Sequence, residues 1–209
     1  MLESILLLGA GGHSRSCIDV IEQDGRYTVA GLVGLPDEVG SDVLGYPVVG
    51  TDDDLHALLP RFRSALITVG QIKSPEDRIK LYDLLKASGC RLPVIVSPRA
   101  YVSAHAQIGS GTIVMHGAIV NAGARIGRNC IINSFALVEH DAEVGDHCHI
   151  ATAAVINGDV SIGAGSFIGS DVCVRQSIRV AERCVVGMGQ MVLSDCTAGS
   201  WLPPVKDKS

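Results

Sequence analysis

The sequence predicts two unlike parts, an α/β domain followed by a solenoid of stacked β-coils. In residues 1–97, short apolar segments alternate with helical ones, and a glycine-rich turn follows the first of them. From Val102 to Val192, every sixth residue is Ile or Val. A period of six fits neither an α-helix nor a plain alternating strand, and a fixed repeat of this kind is typical of stacked coils.

A second register supports the solenoid. Two residues before most of the aliphatic positions stands a small side chain, such as Ala118, Cys130 or Ala136. We expect both sets to point inward, and we expect the glycines that follow several aliphatic residues, such as Gly127, to turn the chain with positive φ. The pattern is the hexapeptide-repeat signature and resembles the left-handed parallel β-helix, which we assign to residues 98–194.

The residues just before the aliphatic ladder are expected to point outward in three columns. One column, from Gln107 to Arg179, is polar and charged. The other two, which run from Tyr101 to Met191 and from Ile113 to Val185, are mostly apolar. Because two exposed apolar walls are too much for a soluble monomer, we expect both to be buried between subunits of a homotrimer.

The first 97 residues are predicted to form a small Rossmann-like parallel sheet with helices. The expected strands are 4–8, 27–33, 65–69 and 93–96, with 45–49 a short extended piece. The expected helices are about ten residues from Ser14, 52–59 and 75–88. Residues 195–209, where the hexapeptide period has stopped, are expected to be an irregular tail that could cap the last coil.

The turn Gly9-Ala10-Gly11-Gly12-His13 lets backbone N–H groups approach a phosphate at the start of a helix. Ser14 stands where the third glycine of a dinucleotide fingerprint would be, and no acid ends the second strand. The turn therefore favours a phosphate-bearing or sugar ligand over a dinucleotide. The alternative is a purely structural turn, with His13 capping the helix.

Composition excludes several classes of function. A net charge of −5 gives no electrostatic reason to bind nucleic acid or an anionic membrane. No apolar run approaches the roughly 20 residues that span a bilayer, and no signal peptide pattern is present, so we expect a cytoplasmic protein. The seven cysteines include no CxxC pair and are expected to be reduced packing residues.

Among the solenoid histidines, His140 stands between Glu139 and Asp141. A neighbouring carboxylate fixes the tautomer of an imidazole and raises its basicity, as acyl transfer to an amine or hydroxyl requires. A solvated corner residue is the alternative. A zinc site of three histidines is also conceivable, since one branch of this fold is a zinc carbonic anhydrase, but its pair of ligands five residues apart is missing here. No metal is predicted.

The glycine turn, Val69-Gly70, and the segment Asn133 to Asp141 together resemble the bacterial sugar O- and N-acyltransferase family, the PglD/NeuD-like group, over nearly the whole chain. The resemblance implies that His140 is the general base and that Asp141 increases its basicity. Asn133 lies in the same motif and is implied to contact the substrate.

The resemblance also implies two binding sites. Gly11, Gly12, His13 and Gly70 match the positions that hold the sugar nucleotide. His149, Ser170 and Met188 match positions that contact acetyl-CoA, at a groove between neighbouring subunits.

The implied activity is transfer of acetyl from acetyl-CoA to the amino group of a nucleotide-linked 4-amino-deoxy sugar, by direct attack. O-acetylation of a sialic-acid-like sugar and a non-catalytic, ligand-binding trimer are the alternatives.

Two features depart from the family pattern. The second strand ends Val33-Gly34 where members commonly carry an Asp pair, with acids only at Asp37 and Glu38. The C-terminal segment lacks the usual Gly-x-Pro-Ala-Lys and reads LPPVK at 202–206.

Overall fold

The computed structural model describes residues 2–205, so the last four residues of the expected tail lie outside the described part. The structure confirms the two-part architecture, with an α/β domain followed by the parallel coils of a left-handed β-helix. No helix within residues 2–205 is long and apolar enough to cross a membrane. The seven cysteines are free thiols, and Cys130 and Cys148 are fully buried in the solenoid core.

The N-terminal domain is a five-stranded sheet with helices packed against it. Its strands are β1 (Glu3–Leu8), β2 (Tyr27–Val33), β3 (Asp42–Val43), β4 (Tyr46–Gly50) and β5 (Ser64–Ile67). Its helices are α1 (Gly12–Asp24), α2 (Leu55–Leu58) and α3 (Glu76–Ala87). The strand order is β3-β4-β2-β1-β5, and every pairing is parallel except the β3–β4 hairpin. Strand β1, which lies between β2 and β5, is buried on both faces along residues 5–8, as its unbroken apolar run requires.

The solenoid strands are two residues long and stack in three parallel sheets, here called walls A, B and C. Wall A contains Ile95–Val96, Ile113–Val114, Ile131–Ile132, His149–Ile150, Phe167–Ile168, Val185–Val186 and Trp201–Leu202. Wall B contains Tyr101–Val102, Ile119–Val120, Leu137–Val138, Val155–Ile156, Cys173–Val174 and Met191–Val192. Wall C contains Gln107–Ile108, Arg125–Ile126, Glu143–Val144, Ser161–Ile162 and Arg179–Val180.

The inward registers form the solenoid core as expected. The aliphatic ladder and the small residues that precede it, such as Ala118 and Ala136, make one continuous buried cluster. Full burial of each Val or Ile side chain contributes about 1.5–3 kcal/mol, so the ladder supplies much of the driving force for coiling.

The expectation that the glycines after the aliphatic residues have positive φ was wrong. Gly127 does not have positive φ; a Cβ there would lie 2.6 Å from the backbone nitrogen of Asp146 in the next coil. Left-handed φ instead occurs at every sixth residue from Gly111 to Gly189. Close approach of successive coils is therefore what requires glycine at Gly127.

Two end segments differ from expectation. Ile95–Val96 pairs with Ile113–Val114 and forms the first rung of wall A, so the prediction that 93–96 belongs to the N-terminal sheet was wrong. Trp201–Leu202 pairs with Val185–Val186 and extends wall A, so the tail is not irregular throughout. In this repeat, two consecutive apolar residues are enough to form a rung.

The expectation that both apolar walls lie between subunits was wrong for the first rungs of wall A. Its first rungs are covered within the chain, because Ile113 and Ile131 are fully buried in one cluster with Ile18 and Ile21 of α1. Wall B remains open in the single chain, with Tyr101 59% and Met191 66% exposed. A single chain therefore leaves wall B and the far end of wall A uncovered.

A buried arginine ties the two domains together. The guanidinium of Arg78 on α3 donates hydrogen bonds to the carbonyl oxygens of Ile67 (3.1 Å) and Val69 (2.7 Å) at the end of β5. It also donates to both oxygens of Asn129 on a solenoid corner, at 2.8 and 2.7 Å. Burial lowers the pKa of Arg78 to about 10, which leaves it charged at neutral pH. This network fixes the loop after β5 against wall A.

Candidate active site

The turn between β1 and α1 forms the floor of a cleft of about 430 Å³ in the N-terminal domain. Gly11, Gly12, His13 and Gly70 all line this glycine cleft, so the structure brings together the four residues expected to hold the sugar nucleotide. Helix α1 begins at Gly12, two residues earlier than expected, and its first turn therefore borders the cleft.

The glycines of the cleft serve different purposes. Gly9 has φ of +118°, and a Cβ there would lie 2.7 Å from the backbone nitrogen of Val69, so packing requires glycine. Around Gly11 and Gly12 there is no atom within 4 Å of a built Cβ, and Gly70 meets only the Cβ of His13 at 3.9 Å. The absence of side chains at these three positions keeps the cleft open, which favours a ligand over the structural alternative.

His13 is not the cap of α1. The N-cap position is occupied by Gly11, so α1 has no side-chain cap. The Nε2 atom of His13 instead lies 3.4 Å from Sγ of Cys17, one turn further along the helix. Burial is the main cause that lowers the pKa of His13 to about 3, with smaller contributions from His149 and Arg78. The imidazole is therefore neutral where it lines the cleft.

Two carboxylates that sequence reasoning did not place in the site also line the cleft. Glu38 and Asp52 both reach it. Glu38 Oε2 accepts a hydrogen bond from the backbone N–H of Leu35 at 2.8 Å, which brings the carboxylate back over the end of β2. For Glu38, the only signal in the sequence was an acid five residues after β2, a strand that lacks an acid at its own end.

A second, mostly apolar space of about 650 Å³ runs along the uncovered end of wall A, here called the wall A groove. Ser170 and Met188, two of the expected coenzyme contacts, both line it. Phe167 and Trp201 project from wall A, and Lys73 comes from the loop after β5. Sequence reasoning missed Lys73 and Trp201 because both lie outside the hexapeptide ladder.

His149, the third expected coenzyme contact, is buried between the cleft and the groove. Its Nδ1–H donates to the carbonyl of Gln71 at 2.7 Å, so its Nε2 accepts from the side-chain amide of Asn133 at 3.2 Å. Its ring centroid lies 6.4 Å from that of His13 and 5.2 Å from that of Phe167. Burial lowers the pKa of His149 to about 4, which keeps it neutral.

Asn133 is therefore joined to His149 rather than to His140. The segment that contains both residues crosses wall B, so Asn133 lies on the corner between walls A and B, whereas His140 lies on the corner between walls B and C. The structure separates two residues that are close in the sequence motif.

His140 and Asp141 form a hydrogen-bonded pair on the corner between walls B and C. Nδ1 of His140 donates to Oδ2 of Asp141 at 3.0 Å, and both side chains are about two-thirds exposed. This hydrogen bond is the main cause that raises the pKa of His140, and the charges of Asp141, Glu139 and Asp159 add to it. The arrangement leaves the Nε2 lone pair as the basic site.

The surroundings hold this pair in place. Asp141 has φ of +60°, one of the left-handed corner positions, and its side chain lies over Gly123 in the preceding coil. The imidazole lies over Gly158 in the following coil, where a Cβ would be 2.8 Å from Nε2. Glycine at 158 thus makes room for the ring.

The prism geometry separates the pair from both binding spaces in one chain. The glycine cleft and the groove lie on the side of wall A, and the corner between walls B and C is opposite wall A. Among residues 2–205, no group of three or more His, Cys, Asp or Glu side chains is arranged to hold a metal ion.

A glycine cleft in an α/β domain, an apolar groove on a hexapeptide solenoid and a basic histidine define a class, the hexapeptide-repeat acyltransferases with an N-terminal binding domain. Family comparison agrees. Residues 4–84 match the PglD N-terminal domain, and residues 105–140 and 123–158 match the bacterial transferase hexapeptide of six repeats. The comparison with curated proteins gave no match.

Solved structures extend the likeness to the whole chain. The acetyltransferase domain of PglB from Neisseria gonorrhoeae is 32% identical, with 95% of each chain covered and a TM-score of 0.87. A histidine-to-asparagine mutant of perosamine N-acetyltransferase from Caulobacter crescentus, in complex with CoA and GDP-perosamine, is 30% identical, with 96% of this chain and 93% of that chain covered and a TM-score of 0.89. The chain belongs to this family of sugar acetyltransferases.

Proposed function

We propose that the protein transfers acetyl from acetyl-CoA to the amino group of a nucleotide-linked 4-amino-deoxy sugar. The observation that carries the proposal is the His140–Asp141 pair, an exposed imidazole with a fixed tautomer, a raised pKa and an uncommitted Nε2. The PglB acetyltransferase domain has been solved with acetyl coenzyme A, and the perosamine enzyme with CoA and GDP-perosamine, which supports the same pair of substrates here.

The reaction is direct attack. The neutral amine of the sugar attacks the thioester carbonyl, and Nε2 of His140 accepts the proton that the amine loses as the C–N bond forms. The C–S bond then breaks and CoA leaves as the thiolate, which takes up a proton from the imidazolium. Asp141 stabilises the imidazolium that forms between these steps. A positioned base of this kind contributes about 10²–10⁴-fold to the rate.

The nucleotide sugar occupies the glycine cleft in this proposal. Its phosphates lie against Gly11 and Gly12, where the N-terminus of α1 supplies backbone N–H groups and favourable partial charge. His13 and Gly70 also line the cleft, and the imidazole is uncharged, so it contacts the polar part of the ligand as a neutral hydrogen-bonding group.

Acetyl-CoA occupies the wall A groove, with Ser170 and Met188 against its pantetheine arm. The ring of His149 lies between His13 of the cleft and Phe167 of the groove and forms the partition between the two spaces, so the thioester and the sugar approach each other at this partition. His149 shapes the meeting point rather than acting as the base, because its Nε2 already accepts a hydrogen bond from Asn133.

The base must then come from a neighbouring subunit. His140 is opposite wall A in its own chain, whereas wall B presents uncovered apolar residues, including Tyr101 and Ile119, beside the corner that carries His140. A homotrimer that buries wall B brings the His140 corner of one subunit towards the cleft and groove of the next. Ile119→Glu is expected to dissociate the trimer and abolish transfer together, as light scattering and turnover would show.

The substrate class is tested by measuring release of the CoA thiol with GDP-, UDP- and dTDP-linked 4-amino sugars and with free sialic-acid-like sugars. Mass spectrometry of the product distinguishes an amide from an ester. Formation of an N-acetylated nucleotide sugar is the expected result and also identifies the base of the nucleotide. Turnover only with the free acids, to give an O-acetyl ester, would contradict the proposal.

A further inference from the structure

The open end of wall A carries an exposed indole that no part of the proposed reaction has used. Phe167, Val185 and Trp201 occupy successive positions of one outward column. The N-terminal domain covers the first rungs of this column, but Trp201 is 72% exposed at its far end. An exposed Trp at the end of an apolar groove is more costly to leave in water than most surface side chains.

The lining of the groove narrows the choice of occupant. Most of its side chains are apolar, and among the described residues that line it, Lys73 carries the only charge. A neutral, flexible arm that ends in an aromatic, anionic group would meet both features. Coenzyme A has this form, with a pantetheine arm and an adenosine 3′,5′-bisphosphate end.

The direction of the coenzyme follows from the position of the partition. The thioester must lie near His149, since the glycine cleft begins on the other side of this residue. Trp201 lies three rungs further along wall A, about 14 Å at the usual spacing of neighbouring strands. An extended pantetheine arm spans such a distance, so the adenine base reaches the indole.

We propose that Trp201 is the stacking platform for the adenine base of coenzyme A and that Lys73 pairs with its phosphates. The inference rests on the proposed function, because it assumes acetyl-CoA in the wall A groove. It assigns two residues, one from the last rung of the solenoid and one from the N-terminal domain, to coenzyme binding.

The protein contains one Trp, so its fluorescence reports on this position alone. Titration with CoA and with adenosine 3′,5′-bisphosphate should change the emission of Trp201, whereas pantetheine, which lacks the base, should leave it nearly unchanged. When an aromatic ring that stacks on a base is replaced by alanine, the affinity typically falls by roughly tenfold or more. Trp201→Ala should therefore raise the calorimetric Kd for CoA about tenfold, and Trp201→Phe by less.

In turnover, the weaker binding of Trp201→Ala should raise KM for acetyl-CoA and leave kcat and KM for the nucleotide sugar unchanged. Lys73→Gln should weaken binding of CoA at low salt and less so at high salt, because the pairing is between exposed charges. Leu84→Ala is the matched control, since it truncates an exposed apolar side chain of α3 that lines neither the cleft nor the groove.

The outcomes separate the inference from the proposed function. If wild type binds CoA in the calorimeter and Trp201→Ala binds it equally well, the inference is overturned while the proposed function stands. If Trp201→Ala dissociates the assembly and leaves CoA affinity unchanged, Trp201 is a subunit contact and the inference is again overturned. If wild type does not bind CoA at all, both fail.

Discussion

Gly158→Ala should impair catalysis although Gly158 itself takes no part in the reaction. A methyl group at this position would lie 2.7 Å from Cε1 and 2.8 Å from Nε2 of His140. Ordinary contact begins near 3.4 Å, so the ring must move by about 0.7 Å to accommodate it. The ring can move, since His140 is about two-thirds exposed, but its Nε2 then leaves the position fixed by Asp141.

The expected cost follows from this displacement. A misplacement of about 1 Å at a reacting group costs on the order of 10²-fold in rate, so a shift of 0.7 Å should lower kcat by roughly ten- to a hundredfold. The free energy of unfolding should change little, because Gly158 does not have positive φ and the contact is with an exposed side chain.

The assay is release of the CoA thiol, paired with thermal unfolding of each variant. A double-mutant cycle with His140→Ala supplies the control: if the methyl group acts through the imidazole, Gly158→Ala should have no further effect once His140 is absent. Near wild-type turnover of Gly158→Ala, or an effect that multiplies with that of His140→Ala, would mean that the methyl group does not act through the imidazole.

Three further variants probe other parts of the account. Asp141→Asn keeps a residue suited to left-handed φ and should lower the pKa of His140. Because only the neutral imidazole is active, the acidic limb of the kcat/KM profile should move to lower pH while the plateau falls; an unmoved limb would count against the His140–Asp141 pair. Gly11→Val should raise KM for the nucleotide sugar with little change in melting temperature, because a Cβ there meets no neighbouring atom; an unchanged KM would argue against binding at the cleft. Gly127→Ala should lower the free energy of unfolding in urea by about 1–3 kcal/mol, because its Cβ meets the backbone of the next coil; a neutral effect would contradict that reading of the solenoid glycines.

Much of the fold could be predicted because the solenoid is quasi-one-dimensional. The Ile and Val ladder fixes which residues point inward, and the three outward columns follow from the repeat without any knowledge of long-range contacts. The covering of wall A could not be predicted in this way. It depends on docking of α1 and α3, through contacts such as Arg78 to Asn129, which join residues far apart in the sequence.

In the candidate site, too, local contacts could be predicted from the sequence and long-range contacts could not. His140 and Asp141 are adjacent, so their hydrogen bond follows from the chain itself, whereas the bond between Asn133 and His149 depends on the stacking of successive coils. Trp201 was missed because it pairs with Val185, 16 residues earlier, where the other rungs of wall A are 18 apart. A two-residue shortening of the last coil hides the rung from a search for a strict period.

The most direct test of the central claim is turnover of acetyl-CoA and a nucleotide-linked 4-amino sugar by wild type and by His140→Ala, with the mass of the assembly and the Kd for CoA measured for both. The variant should keep the assembly and its affinity for CoA but lose about 10²–10⁴-fold in kcat. A His140→Ala protein with near wild-type turnover would contradict the assignment of the base, and with it the proposed mechanism.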